Sequence, residues 1–219
     1  MEIPAIVVNF KTYNESTGKA ALKLAKICEE VAKKKKAEIV VCPQLADAQK
    51  IAESVSIPVF AQHVDIIEPG GHTGWVLLES LKEIGLDGSL VNHSEHRIEK
   101  NNIQIAVNKL RAAGMTSIVC TKDVTETADY SFLKPDFLAI EPPELIGSGI
   151  SVSTARPEVI SGAVSAVKNG VPVLCGAGIG KGIDVKKALK LGAKGVLLAS
   201  GVVKAQDPKA VLIEMVDNL

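Results

Sequence analysis

Eight short apolar runs, each followed by a longer stretch of helical period, recur from one end of this chain to the other. Few folds absorb such a rhythm. The runs cover residues 5–10, 38–42, 59–64, 89–92, 117–121, 137–140, 171–175 and 195–199. Most are almost uninterrupted in apolar side chains, as strands covered on both faces must be. Parallel strands joined by helical crossovers of fixed hand leave two architectures open: a closed barrel or an open, doubly wound sheet. No Gly/Ser/Pro-rich linker breaks the series, so residues 1–219 are expected to form one domain.

The intervening segments carry their own signals. Ala21, Leu24, Ala25, Cys28, Val31 and Ala32 share one helical face, and Lys33 to Lys36 end that helix with cations that suit its dipole. Asp207-Pro208 reads as a cap followed by a proline in the first turn, ahead of Val211, Leu212, Met215, Val216 and Leu219. Pro157 opens another helix in the same way, with Val159, Ile160, Ala163, Val164 and Val167 inward.

Charge narrows the function. Lys+Arg and Asp+Glu both number 25, so the chain lacks the basic excess with which a nucleic-acid binder neutralises phosphates. A small basic pocket for an anionic ligand remains open. No apolar run approaches membrane-spanning length, and the start of the chain has no basic segment leading into a long apolar one. Cys28, Cys42, Cys120 and Cys175 stand singly, without the spacing of a zinc ribbon or the density of a disulfide scaffold. A cytoplasmic protein with reduced thiols is expected.

In a parallel barrel the chemistry lies where strands end, so the polar residues after each run are the candidates. The first run ends in Asn9-Phe10-Lys11, the fourth in Asn92-His93-Ser94-Glu95 and the sixth in Glu141-Pro142-Pro143. The seventh ends in Gly176-Ala177-Gly178 and the eighth in Ala199-Ser200. An ammonium, an imidazole and a carboxylate from three strands would then meet at one mouth. His93 and His96, with Glu95 between them, have a spacing that could serve a metal, but no further His or Cys cluster completes a ligand set, and no metal is expected.

The segments AIVVNFKTY, LVNHSEHR, AIEPPELIGSGI, VLCGAGI and GVLLASGV, in this order, resemble the triosephosphate isomerase family over the whole chain, and most of all its compact archaeal branch. The resemblance implies an α/β fold, a (β/α)8 TIM barrel of eight parallel strands. It implies an intramolecular oxidoreductase, an aldose-ketose isomerase that interconverts D-glyceraldehyde 3-phosphate and dihydroxyacetone phosphate in glycolysis and gluconeogenesis, without a cofactor. Glu141 matches the catalytic base, His93 the electrophile and Lys11 the balancing cation. An enediolate intermediate calls for these types: a base, a donor for the developing oxyanion and a nearby positive charge. Asn9, Phe10, Lys11, Ile146, Gly147, Gly178, Ala199 and Ser200 are implied to bind the substrate. The phosphate would rest on backbone N–H groups after the last two strands, and residues 142–149 would form a lid that excludes water.

Five positions depart from the commoner family pattern: Asn92 stands for a glycine, Glu144 for a tryptophan, Gly178 for a serine and Ala199-Ser200 for two glycines. Glu95 is read as a partner of Lys11 or of a neighbouring chain, and Cys120 as a buried structural thiol. The Gly-rich segment 65–75, ending HTGW, resembles the loop by which family dimers interlock. Only 48 positions separate His93 from Glu141, so the two helical units between them should be short and leave apolar surface bare. A homo-oligomer, a dimer at minimum and a tetramer by family habit, is expected. Rival readings are a different phosphate-binding barrel enzyme and a catalytically silent barrel that senses sugar phosphates.

Overall fold

The computed structural model describes residues 1–145 and 151–219. Eight strands alternate with helices: β1 (Ala5–Asn9), α1 (Lys19–Lys35), β2 (Glu38–Cys42), α2 (Leu45–Ala52), β3 (Phe60–Ala61), α3 (Leu78–Glu83), β4 (Gly88–Val91) and α4 (Lys100–Ala113). They continue with β5 (Thr116–Thr121), α5 (Val124–Ser131), β6 (Phe137–Ile140), α6 (Val152–Ala155), α7 (Pro157–Ala166), β7 (Val173–Gly176), α8 (Gly182–Lys190), β8 (Gly195–Leu198), α9 (Ser200–Val203) and α10 (Pro208–Val216). All strands are parallel, in the order β2-β1-β8-β7-β6-β5-β4-β3. The ends of that row meet through a parallel bridge between Val41 and Val59, backed by the Val41 N–H donating to the Pro58 carbonyl at 3.1 Å. The architecture is therefore the (β/α)8 barrel and not the open sheet.

Period-2 alternation sorts each strand into two cores. Val7, Val40, Phe60, Leu90, Ile118, Phe137, Ala139, Leu174 and Leu197 fill the barrel interior. Ile6, Val8, Ile39, Val41, Leu138 and Ile140 face outward and pack under the helices. The expected face of α1 is buried as read, and Lys36 ends it in the left-handed region at φ 54°. Asp207 caps α10 by accepting from the Ala210 N–H at 3.0 Å.

Two strands differ from the sequence reading by more than one residue at an end, each for a backbone reason. The run 59–64 gives only Phe60–Ala61 as a strand, because the Gln62 side chain donates to the carbonyls of Cys42 (2.9 Å) and Lys11 (3.0 Å) in place of a continuing ladder. The seventh strand starts at Val173 and not at residue 171, since Pro172 has no N–H to donate. The expectation of two short helices between His93 and Glu141 holds for α5, at 8 residues, and fails for α4, at 14. Ile105 on α4 and Phe132 just after α5 are still exposed, Phe132 to 71%.

Glu29 was not singled out in the sequence, yet it ties α1 to the chain entering β3. It accepts from Lys33 (2.9 Å), Lys26 (3.1 Å) and both the N–H and hydroxyl of Ser56 (2.8 and 2.9 Å). The Lys33 bond foremost, with Ser56 and Lys26, outweighs desolvation and lowers its pKa from 4.5 to about 2. A carboxyl depressed on folding stabilises above its unfolded pKa and loses that contribution as pH falls through the folded one. Melting curves of wild type and Glu29→Gln should therefore differ most near neutrality, with the gap closing between pH 4.5 and 2. A gap independent of pH would contradict this.

Candidate active site

Residues from five strand ends line one cleft at the C-terminal mouth: Asn9, Lys11, Tyr13, His93, Glu141, Ala177, Gly178, Ile179, Leu197, Leu198, Ala199 and Ser200. Alternation explains most of this set. Val7, Ala139 and Leu197 point inward, so Asn9, Glu141 and Ala199, two residues further on, follow them to the mouth. The same rule corrects Phe10. It falls on the outward face with Ile6 and Val8, is fully buried beneath the helices and does not line the cleft. Ile146 and Gly147 lie outside the described residues.

Of the five non-glycine residues with positive φ among the described residues, three sit at this mouth: Lys11 (48°), Asn92 (62°) and Ala177 (72°). Such backbone strain collects where a site dictates geometry. Lys11 is held by its neighbours. Its N–H donates to the Asn9 side chain (3.0 Å), its carbonyl accepts from Gln62, and its ammonium pairs with Glu95 at 2.8 Å. The Glu95 partnership is one of the two expected from the sequence; Gln62 was missed, although it directly follows β3.

His93 and Glu141 are both 6% exposed and face each other, with Nε2 and Oε1 3.6 Å apart. Burial disfavours a charged imidazole, but the Glu141 carboxylate outweighs it and holds His93 above its ordinary pKa, with Lys11 opposing. Burial likewise works to raise Glu141, and His93 foremost, aided by the Cys120 thiol and Lys11, brings it below the usual carboxylate value. The Glu95 N–H donates to His93 Nδ1 at 3.2 Å, which assigns the ring proton to Nε2, the nitrogen facing Glu141. Glu141 Oε2 is buried without a hydrogen-bond partner among the described residues. An acceptor left in that state is costly and is suited to a proton arriving from a ligand.

Cys120, read as a structural thiol, is buried at the inner mouth, and its pKa is pushed well up, first by burial and then by the Glu141 charge. His96 stacks on His63, with ring centroids 3.8 Å apart, and no cluster of metal-ligating side chains occurs among the described residues.

On the opposite wall, the loops after β7 and β8 approach so closely that a Cβ on Gly201 would lie 2.5 Å from the Ile179 carbonyl oxygen. Asp184 holds the first loop by accepting from the N–H groups of Gly180 and Lys181, both at 3.1 Å. The N–H groups of Gly178, Ser200 and Gly201 have no partner among the described residues. Three amide donors on two adjoining loops suit an oxyanion or a phosphate.

The family model described as triosephosphate isomerase matches residues 4–218. Among similar proteins, one named triosephosphate isomerase from Methanothermus fervidus is 56% identical, with both chains fully covered. A protein of the same name from Methanocaldococcus jannaschii is 51% identical over 96% of this chain and 98% of its own. Another, from Methanobacterium bryantii, is 50% identical over 100% of this chain and 98% of its own.

Glutamate 141 owes its position partly to an absent side chain. A Cβ on Gly176 would stand 2.4 Å from Glu141 Cγ. Gly176→Ala must displace the carboxylate or the strand, and overpacking of this kind costs about 1–3 kcal/mol. Thermal unfolding should show a midpoint lowered by several degrees; an unchanged midpoint would mean that the carboxylate side chain moves aside freely.

Proposed function

The chain belongs to the triosephosphate isomerase family, and on that footing we propose that it interconverts D-glyceraldehyde 3-phosphate and dihydroxyacetone phosphate through an enediolate. The observation that carries this reading is the buried pair of Glu141 and His93, 3.6 Å apart, with one carboxylate oxygen unpartnered. Glu141, held ionised, takes the proton from one carbon of the bound triose and returns it to the adjacent one. His93 donates from Nε2 to the oxygens on which negative charge develops, its other nitrogen occupied by the Glu95 N–H. Lys11 balances the charge of enediolate and phosphate, and Asn9 stands beside it. The phosphate rests on the N–H groups of Gly178, Ser200 and Gly201. A proton moved between neighbouring carbons leaves no electrons to carry off, so the residues present suffice without a cofactor.

In this reading residues 1–219 act as one domain in the cytoplasm, where four free buried thiols are at home. Among the described residues no helix is long and apolar enough to cross a membrane. The working form is a homo-oligomer, at minimum a dimer and by preference a tetramer. Two features support it: Trp75, 57% exposed at the end of the 65–75 loop, and the bare Phe132. Sedimentation velocity at micromolar concentration should give a dimer or larger; a lone monomer would overturn this.

Coupling dihydroxyacetone phosphate formation to a reporter dehydrogenase tests the activity itself. Wild type should turn over, and Glu141→Gln, which keeps the shape and loses the base, should lower kcat by about 10²–10⁴-fold. A folded wild type that binds phosphate ligands without turnover would favour the sensor.

A further inference from the structure

On strict alternation His93 would face the wrong way. Leu90 points into the barrel, so Asn92 should follow it inward and His93 should turn out beneath the helices with Val91. Yet His93 lines the cleft. The left-handed turn at Asn92, φ 62°, breaks the alternation and re-aims the next residue. Asparagine is one of the few side-chain-bearing residues that enter this region readily.

The Asn92 amide, only 1% exposed, then holds the redirected chain from two sides. Its Nδ2 donates to the Cys120 carbonyl at 3.0 Å, and its Oδ1 accepts from the Ile98 N–H at 3.0 Å. Its own carbonyl accepts from Arg97 at 3.3 Å. The second bond closes the loop 92–98, which contains the Glu95 N–H that donates to His93 Nδ1. The first ties that loop to the end of β5, where the next carbonyl, that of Thr121, accepts from the Glu141 N–H at 2.8 Å. The end of one strand therefore anchors the carriers of both the base and the imidazole.

We propose that Asn92 is a positioning residue: its left-handed turn and two amide hydrogen bonds set the orientation and tautomer of His93 relative to Glu141. A glycine could make the turn but neither bond. The inference rests on the isomerase reading for its kinetic consequence, whereas the tautomer can be read without substrate.

The test compares wild type, Asn92→Gly and Asn92→Asp as purified full-length proteins. Nitrogen-15 NMR of histidine-labelled protein, without ligand, reports the His93 tautomer, and steady-state kinetics report kcat and KM. Wild type should show the proton on Nε2. Asn92→Gly, which keeps the backbone turn, should show a second His93 tautomer or ring exchange, and kcat about tenfold or more lower with KM within about threefold. Asn92→Asp keeps the acceptor for Ile98, the bond that closes the loop carrying the Glu95 N–H, and loses the donor to Cys120; it should retain the wild-type tautomer with a lowered kcat, and it gives a reading if the glycine variant does not fold. An unchanged His93 signal in Asn92→Gly, whatever its activity, would overturn the proposal, as would loss of the tautomer in Asn92→Asp. Wild type with the expected tautomer and no turnover would overturn the isomerase reading while leaving the role of Asn92 standing.

Discussion

Closing eight short strands into a cylinder divides every side chain between a narrow interior and an outer layer beneath the helices. The interior is filled by residues such as Phe60, Leu90, Ile118 and Leu197, so no channel remains and the polar residues can gather only at the ends. Asn9, Glu141 and Ala199 reach the mouth because they are in phase with the interior residues of their strands. Phe10, one position out of phase, is lost to the outer core. The site is thus the open end of an otherwise filled barrel.

Within that mouth the energetics turn on a carboxylate that burial alone would neutralise. Glu141 stays ionised because His93 faces it, with Cys120 and Lys11 behind. Each support is itself supported: Lys11 by Asn9, Gln62 and Glu95, His93 by the Glu95 N–H and the Asn92 turn. Strained backbone at Lys11, Asn92 and Ala177 is tolerated since the barrel over-determines those positions. Gly176 and Gly201 are bare because two loops and a side chain need the room a Cβ would take.

Much of this was legible beforehand for a physical reason: parallel strands buried on both faces leave continuous apolar runs, and chain order then places Lys11, His93 and Glu141 at one end. The run 137–140 coincides with its strand, and the Asp207-Pro208 start of the last helix is as read. What escaped reading depends on side chains replacing backbone bonds. Gln62 shortens β3 by capping two carbonyls, and Glu29 reaches from a helix to Ser56; neither follows from periodicity. Phe10 was a site residue by resemblance, although the same period-2 rule turns its side chain away from the cleft. Asn92 appeared only as a departure from a glycine, and its bonds to Cys120 and Ile98 required coordinates.

The central claim is that Glu141 moves a proton between adjacent carbons of a triose phosphate, and solvent exchange reads that step directly. Dihydroxyacetone phosphate incubated with the protein in deuterium oxide and followed by proton NMR should acquire one deuterium at the hydroxymethyl carbon, and the aldehyde product should carry deuterium at its second carbon. Isomerisation in which the migrating hydrogen never exchanges with solvent, or label that appears equally fast with Glu141→Gln, would contradict the account.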